Sequence, residues 1–236
     1  MARVLPAIAL WLALLAGLNP AWAEPTPVSG QISSPSPAAP RTIPPLFNTT
    51  EIRSPNLASF TNWTGMLNRF NKGKELAAGM CATAGNGSRN GGLCEWDEWQ
   101  KIVQSLRGLP PQQQLIRVND EMNKRRYILD RVNWGMEDYW QTVFEFIRKN
   151  GDCEDYAIAK YVTLRALGWD ADQLRVVIVR DNKLNLNHAI LAAYTDEGLF
   201  IGDNQINGLA RASSIRHYKA IYSINENSWW LHRAAR

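Results

Sequence analysis

Asn150-Gly151-Asp152-Cys153-Glu154-Asp155-Tyr156-Ala157-Ile158-Ala159-Lys160 is the stretch that decides how this chain reads. Gly151 interrupts the preceding segment and Asp152 is a capping residue. Glu154 and Asp155 fill a first turn, where the helix dipole favours negative charge. Apolar residues then recur at helical spacing (Ala157, Ile158, Tyr161, Leu164 and Leu167), with Gly168 as the stop. The pattern is a helix whose first residue is a cysteine. A thiol placed there sits among unpaired backbone N–H groups, which favour thiolate over thiol.

Upstream of this helix the periodicity is also helical. Residues 139–149 form a short helix, and Trp134-Gly135 marks a bend before it. Pro110 or Pro111 opens a helix that runs to about Arg126, with Leu115, Val118 and Met122 as its apolar stripe. Glu95–Leu106 carries Trp96, Trp99, Ile102, Val103 and Leu106 at the same spacing. Residues 47–76 hold scattered aromatics and one helix, expected to start after Ser54-Pro55.

Downstream the period changes to two. Residues 174–179 are a β-branched run that reads as a buried strand, and 181–187 form a polar turn. Residues 188–194 and 199–203 are two strands joined by a turn through Asp196-Glu197-Gly198. Residues 215–224 alternate, with Tyr218, Ala220, Tyr222 and Ile224 expected on one side. The layout is α+β, with N-terminal helices packed on a C-terminal antiparallel sheet. If Tyr194 pairs with Leu199, then Asp203 stands opposite Ile190 and diagonal to His188, on one face of the hairpin. A one-residue slip would separate them.

Composition bounds the rest. A net charge of +4 over 236 residues, evenly scattered, excludes a nucleic-acid partner as the natural reading. Residues 1–23 read as a cleavable signal peptide: Arg3, an apolar run from Val4 to Leu18, and Ala21-Trp22-Ala23 before Glu24. The apolar run is shorter than the ~20 residues of a membrane span. The mature protein is therefore expected in an oxidising compartment, most simply a bacterial periplasm. Residues 24–45 are a Pro/Ser-rich flexible segment, and 46–236 form the folded domain. Of three cysteines, Cys81 and Cys94 flank a Gly/Asn-rich loop and suit a disulfide, which leaves Cys153 over for chemistry.

A thiolate needs a base, and the base needs a group that fixes its tautomer. Cys153, His188 and Asp203 supply these parts in that order. Of the other histidines, His217 falls in a strand and His232 in the tail. The reaction would be attack on an amide carbonyl, with Cys153 N–H as one oxyanion donor and Trp134 or Gln205 as candidates for the second. Asp152, Glu154 and Asp155 crowd negative charge around the thiol, which opposes its ionisation. They read either as helix caps or as ligands of a Ca²⁺ that would reverse that charge. Water resolving the thioester makes a protease and an amine makes a transglutaminase or amidase. A non-catalytic partner-binding relative is the third reading. Independently of which reading holds, Trp134 and Trp229 are candidate exposed anchors for docking on a partner protein, with a place in the core as the alternative.

The run from Gly151 to Tyr161, with Leu164-Arg165 and Leu167-Gly168 behind it, resembles the bacterial transglutaminase-like cysteine proteinases of the LapG type. So do Leu174-Arg175-Val176-Val177, His188-Ala189, Asp203-Asn204 and the upstream Trp134-Gly135 and Asp138-Tyr139-Trp140. The resemblance covers residues 94–230. It implies a papain/transglutaminase-like fold and a periplasmic, calcium-dependent protease with Cys153, His188 and Asp203 as triad. Asp152, Glu154 and Asp155 are implied as the calcium-linked acids. The substrate implied is a large RTX-type surface adhesin, cut near its N-terminus at a paired-alanine site so that cells leave a biofilm. The partner implied is the periplasmic domain of a LapD-type inner-membrane receptor that responds to cyclic-di-GMP.

Overall fold

A computed structural model describes residues 45–83 and 94–235, the side chains of 77–83 excepted. The expected signal peptide, the Pro/Ser-rich segment apart from Pro45, and the Cys81–Cys94 pairing lie outside the described residues. In chain order the elements are β1 (Thr49–Ser54), α1 (Thr61–Thr83), α2 (Glu95–Leu106), α3 (Pro111–Asn123), α4 (Asp130–Asn133), α5 (Val143–Lys149) and α6 (Cys153–Ala166). There follow β2 (Leu174–Asp181), β3 (Leu186–Thr195), β4 (Gly198–Gly202), β5 (Leu209–Arg211), β6 (Tyr218–Ile224) and β7 (Trp229–Ala234). The architecture is α+β, and the described strands form one antiparallel sheet in the order β1-β7-β6-β2-β3-β4-β5.

Every residue of α6 from Glu154 to Leu164 is buried, so this helix has neighbours on all sides. It lies against β2 and β3, with α3 and α5 flanking it. The strands alternate into two cores. Val176, Leu191 and Ala193 face the helices with Trp63, Trp99, Phe146 and Tyr161. Val177, Val179, Ile190, Ala192 and Tyr218 face the other side. The period of two thus separates helix-facing from back-facing residues. Buried tryptophans tie the layers through their N–H groups. Trp63 Nε1 donates to Asn225 O (3.1 Å), Trp99 Nε1 to Thr163 Oγ1 (2.9 Å) and Trp169 Nε1 to Gln114 Oε1 (2.8 Å).

Three expectations change. The first element after residue 47 is strand β1, and the helix starts only at Thr61. β1 forms because Glu51, Ile52 and Arg53 pair with His232, Leu231 and Trp230 of β7, a partner that no local pattern announces. His232 accordingly lies within a strand, buried, and not in a loose tail. In β6 a register irregularity falls between the Ile178 and Val179 pairings, which Tyr222 and Ala220 satisfy in turn, so Ile221 is the extra residue. The bulge reverses the facing of the strand: Tyr218 and Ala220 join the back core, while Ile224 joins the helix side.

Candidate active site

The turn at Asn150 delivers the chain to α6. Asn150 takes φ 62° and ψ −172°, a positive-φ extended conformation that glycine normally occupies, and its Oδ1 accepts from Arg126 N (3.1 Å). Gly151 serves a different purpose from the helix-breaking one read in the sequence. Its φ is ordinary, but a Cβ there would stand 2.1 Å from Asp155 Oδ2 and 2.7 Å from both Asp155 Cβ and Gln141 Nε2. Only glycine admits the Asp155 carboxylate to this place. Asp155 then accepts from Gln141 N (2.8 Å), Gln141 Nε2 (2.5 Å) and Asp152 N (3.1 Å), the last closing a cap on α6.

Asp152, Glu154 and Asp155 gather with Asp130, all four buried, so that one carboxylate oxygen from each lies within 4.8 Å of the others. Asp130 was not legible in the sequence. It stands 22 residues before Asp152 and opens the short α4, where Asp130 N donates to Asp152 Oδ2 (3.2 Å) and Tyr139 N to Asp130 Oδ2 (2.5 Å). One oxygen each of Asp130 and Asp152 is buried without a hydrogen-bond partner in the protein. Burial first, then the mutual repulsion of the cluster, pushes Glu154 and Asp155 well above the usual carboxylate range, and burial raises Asp130. Four converging buried carboxylates, with one oxygen each of Asp130 and Asp152 unpartnered, suit a hard divalent cation such as Ca²⁺.

Cys153 is the first residue of α6 and a half-buried free thiol. Its Sγ donates to Glu154 Oε2 (3.3 Å). Burial, then the Glu154 charge, holds the thiol well above its usual range, while the Ala189 N–H pulls the other way. Ala189 sits beside His188 on β3, and Cys153, His188, Ala189, Trp140, Ile178 and Tyr222 line one cleft.

The hairpin that carries His188 has the expected register: Tyr194 pairs with Leu199, and the ladder ends at Leu191 with Gly202. Asp203 is the next residue, just beyond the strand. His188 Nε2 and Asp203 Oδ1 are 2.9 Å apart, both buried. Gln205 N also donates to Asp203 Oδ1 (2.8 Å), and Tyr218 donates its hydroxyl to Asp203 Oδ2 (2.7 Å). Burial alone would raise the Asp203 carboxyl. The His188 hydrogen bond and charge, then Gln205 and Tyr218, outweigh it and hold the group below the usual range. Tyr218 was missed because its place depends on the bulge. With Nε2 engaged by Asp203, Nδ1 is the remaining ring nitrogen of His188, and Gln205 Nε2 donates to it (3.4 Å).

Of the two candidates for a second oxyanion donor, Gln205 lies at His188 and Trp134 does not line the cleft. Trp134 instead packs at a tilt on Tyr139 (4.5 Å between centroids) beneath Lys149 Nζ (3.8 Å). Trp229, half-buried, sits 5.1 Å from the Phe60 ring and belongs to the helix-side core.

Comparison with known proteins identifies the family. A family described as bacterial transglutaminase-like cysteine proteinase, BTLCP, matches residues 89–234. The solved structure of Legionella pneumophila LapG is 36% identical over 58% of this chain and 77% of its own, with a TM-score of 0.53. Its calcium-bound form is 32% identical over 69% of this chain and 87% of its own, with a TM-score of 0.56. No curated protein matches the chain. A helix-start thiol, a buried imidazole–carboxylate pair on the same cleft and a family match over more than half the length lead to one statement: the chain belongs to the bacterial transglutaminase-like cysteine proteinases and is a cysteine peptidase.

Proposed function

We propose that this chain is a periplasmic, calcium-dependent cysteine endopeptidase in which Cys153 is the nucleophile, His188 the base and Asp203 the orienting acid. The observation that carries the reading is the buried His188–Asp203 pair, which leaves Nδ1 as the basic nitrogen in the cleft that Cys153 lines. Cys153 Sγ gives its proton to His188 Nδ1 and bonds to the scissile carbonyl carbon. His188 returns the proton to the leaving amine as the C–N bond breaks, and water then hydrolyses the thioester with His188 again as base. Cys153 N–H, at the unpaired start of α6, faces the developing oxyanion. For attack, Sγ must turn from Glu154, its present partner, towards His188.

Asp130, Asp152, Glu154 and Asp155 would hold the calcium, Asp130 extending the set of three read from the sequence. Bound there, Ca²⁺ supplies positive charge that offsets the acids crowded around the thiol. The calcium-bound state of Legionella pneumophila LapG supports this assignment. Among the described residues no helix is long and apolar enough to cross a membrane.

The substrate in this reading is the N-terminal region of a large RTX-type surface adhesin, cut at a paired-alanine site to promote biofilm dispersal. The regulator is a LapD-type inner-membrane receptor that sequesters the enzyme when cyclic-di-GMP is high. Exposed apolar side chains near the acid cluster, Tyr127, Leu129, Val132 and Met136, offer surface for such a partner. The test is to add the purified protein to its host's envelope fraction and sequence new N-termini. Cleavage should need calcium, stop in EGTA and vanish with Cys153→Ala. Full processing in EGTA, or by the alanine variant, refutes the reading, and transfer of a labelled amine in place of hydrolysis would make the protein a transglutaminase.

A further inference from the structure

Helix α6 carries a titratable group that the chemistry above does not use. Lys160 stands seven residues after Cys153, almost two full turns along the same helix face, and is fully buried. Its Nζ has no hydrogen-bond partner in the protein, and the Tyr156 ring centroid is 5.9 Å away. An isolated ammonium in such a place opposes folding, because desolvation is uncompensated. A methionine of similar length would fill the space without that penalty.

What surrounds Lys160 is the segment that carries Asp203. Lys160 Cδ lies 3.6 Å, and Asn119 Oδ1 3.1 Å, from the point where a side chain at Gly202 would begin, so both groups occupy the space beneath Gly202. Asn119 and Asn123 stand one turn apart on α3. Asn119 Nδ2 donates to Gly208 O (3.2 Å) and Asn123 Nδ2 to Asp203 O (2.7 Å), at the two ends of segment 203–208. Each asparagine leaves its Oδ1 buried and unpartnered. One lysine and two amide donors therefore converge on a single stretch of backbone from two helices. Burial pulls Lys160 down to about 7, and the charges of Asp203 and then Asp120 act against that pull.

We propose that Lys160, together with Asn119 and Asn123, forms a positioning group for the reaction, a cationic post behind Asp203 that holds segment 202–208 so that the carboxylate meets His188 Nε2. The proposal rests on the triad reading above. It adds to the three donors on Asp203, from His188, Gln205 and Tyr218, a lysine whose positive charge Asp203 and Asp120 favour, on the side where α6 and α3 meet the loop.

The test uses the full chain with Lys160→Met, Lys160→Gln and, as a control on the triad, Asp203→Asn. With a peptide spanning the cut site mapped by N-terminal sequencing, Lys160→Met should keep KM within about twofold and lower kcat about 10- to 100-fold, the size of effect a slight misplacement of a reacting group produces. Its melting temperature should equal or exceed that of the parent, and Lys160→Gln should recover part of kcat. A second readout needs no substrate: the His188 Nε2 proton, buried against Asp203, should exchange with water at least ~10-fold faster in Lys160→Met, seen in its downfield proton resonance. Parental kcat and parental proton exchange in Lys160→Met would overturn the proposal, as would failure of both Lys160 variants to fold, which would make the lysine a structural post only. Parental turnover by Asp203→Asn would instead sink the triad reading, and this inference with it.

Discussion

Replacing Gly151 by alanine tests the packing of the acid cluster without touching any charge. At a position of ordinary φ, Gly→Ala stabilises a protein by about 0.4–1 kcal/mol, because the unfolded chain loses freedom. The surroundings of Gly151 reverse that sign. The new methyl would stand 2.1 Å from Asp155 Oδ2, against an ordinary carbon–oxygen contact of roughly 3.3 Å. It would also stand 2.7 Å from Asp155 Cβ, so turning the carboxylate aside does not relieve the overlap. Overpacking of this kind costs about 1–3 kcal/mol. Asp155 must also give up some of its hydrogen bonds from Gln141 N, Gln141 Nε2 and Asp152 N, and each buried donor left unpaired costs about 1–3 kcal/mol. With partial relaxation the sum is about 3–5 kcal/mol, equivalent to a fall in melting temperature on the order of 10 °C for a domain of this size. Calorimetry in EGTA measures that fall. Repeating the scan with added calcium measures ligand stabilisation, which Gly151→Ala should largely lose because Asp155 has left the cluster. A variant melting within about 2 °C of the parent, with the same calcium-induced rise, would refute the reasoning.

Cys153→Ala should abolish proteolysis and leave the melting temperature unchanged or slightly higher, since a half-buried thiol set against a carboxylate is removed; residual turnover above the mock reaction would exclude Cys153 as nucleophile. Tyr218→Phe removes the hydroxyl donor 2.7 Å from Asp203 Oδ2 and should lower kcat/KM by about tenfold, roughly the worth of one hydrogen bond to a charged group; an unchanged value would show that His188 and Gln205 suffice. Asp130→Asn should weaken calcium binding measured by titration calorimetry, and unaltered affinity would remove Asp130 from the ligand set. His232 gives a pH dependence. Burial, with Arg175 adding to it and Glu51 opposing, pulls its pKa down to about 4, below the ~6.5 of the unfolded chain. Between those values the unfolded state binds more protons. Stability should therefore fall by about 2–3 kcal/mol as pH drops from roughly 6.5 to 4, with the full contribution present above 6.5. Urea midpoints at pH 7 and 5 measure the slope, which His232→Asn should flatten; equal slopes in both proteins would show that another group is responsible.

What could be read from residues alone was whatever local spacing or a cap determines. The helix opening on Cys153 follows from Asp152, the first-turn acids and the apolar period. The pairing of Tyr194 with Leu199 follows from a short turn between two alternating runs, and that register alone sets Asp203 near His188. The contiguous acids Asp152, Glu154 and Asp155 were visible for the same reason. Tertiary structure decided the rest. Asp130 joins those acids only through the fold of residues 127–139, and exposure cannot be told from an isolated aspartate. Strand β1 exists because β7, about 180 residues later, supplies its hydrogen-bonding partner. Tyr218 reaches Asp203 because one bulged residue in β6 reverses which way the strand faces, a change that an alternating pattern by itself cannot register. Gly151 looked like a turn residue, yet its role is set by a carboxylate four residues on that occupies the space of its missing side chain. Lys160 stood in the sequence as an ordinary helix lysine; α3 and the hairpin end close over it, and burial, which depends on every element around a residue, makes its charge matter.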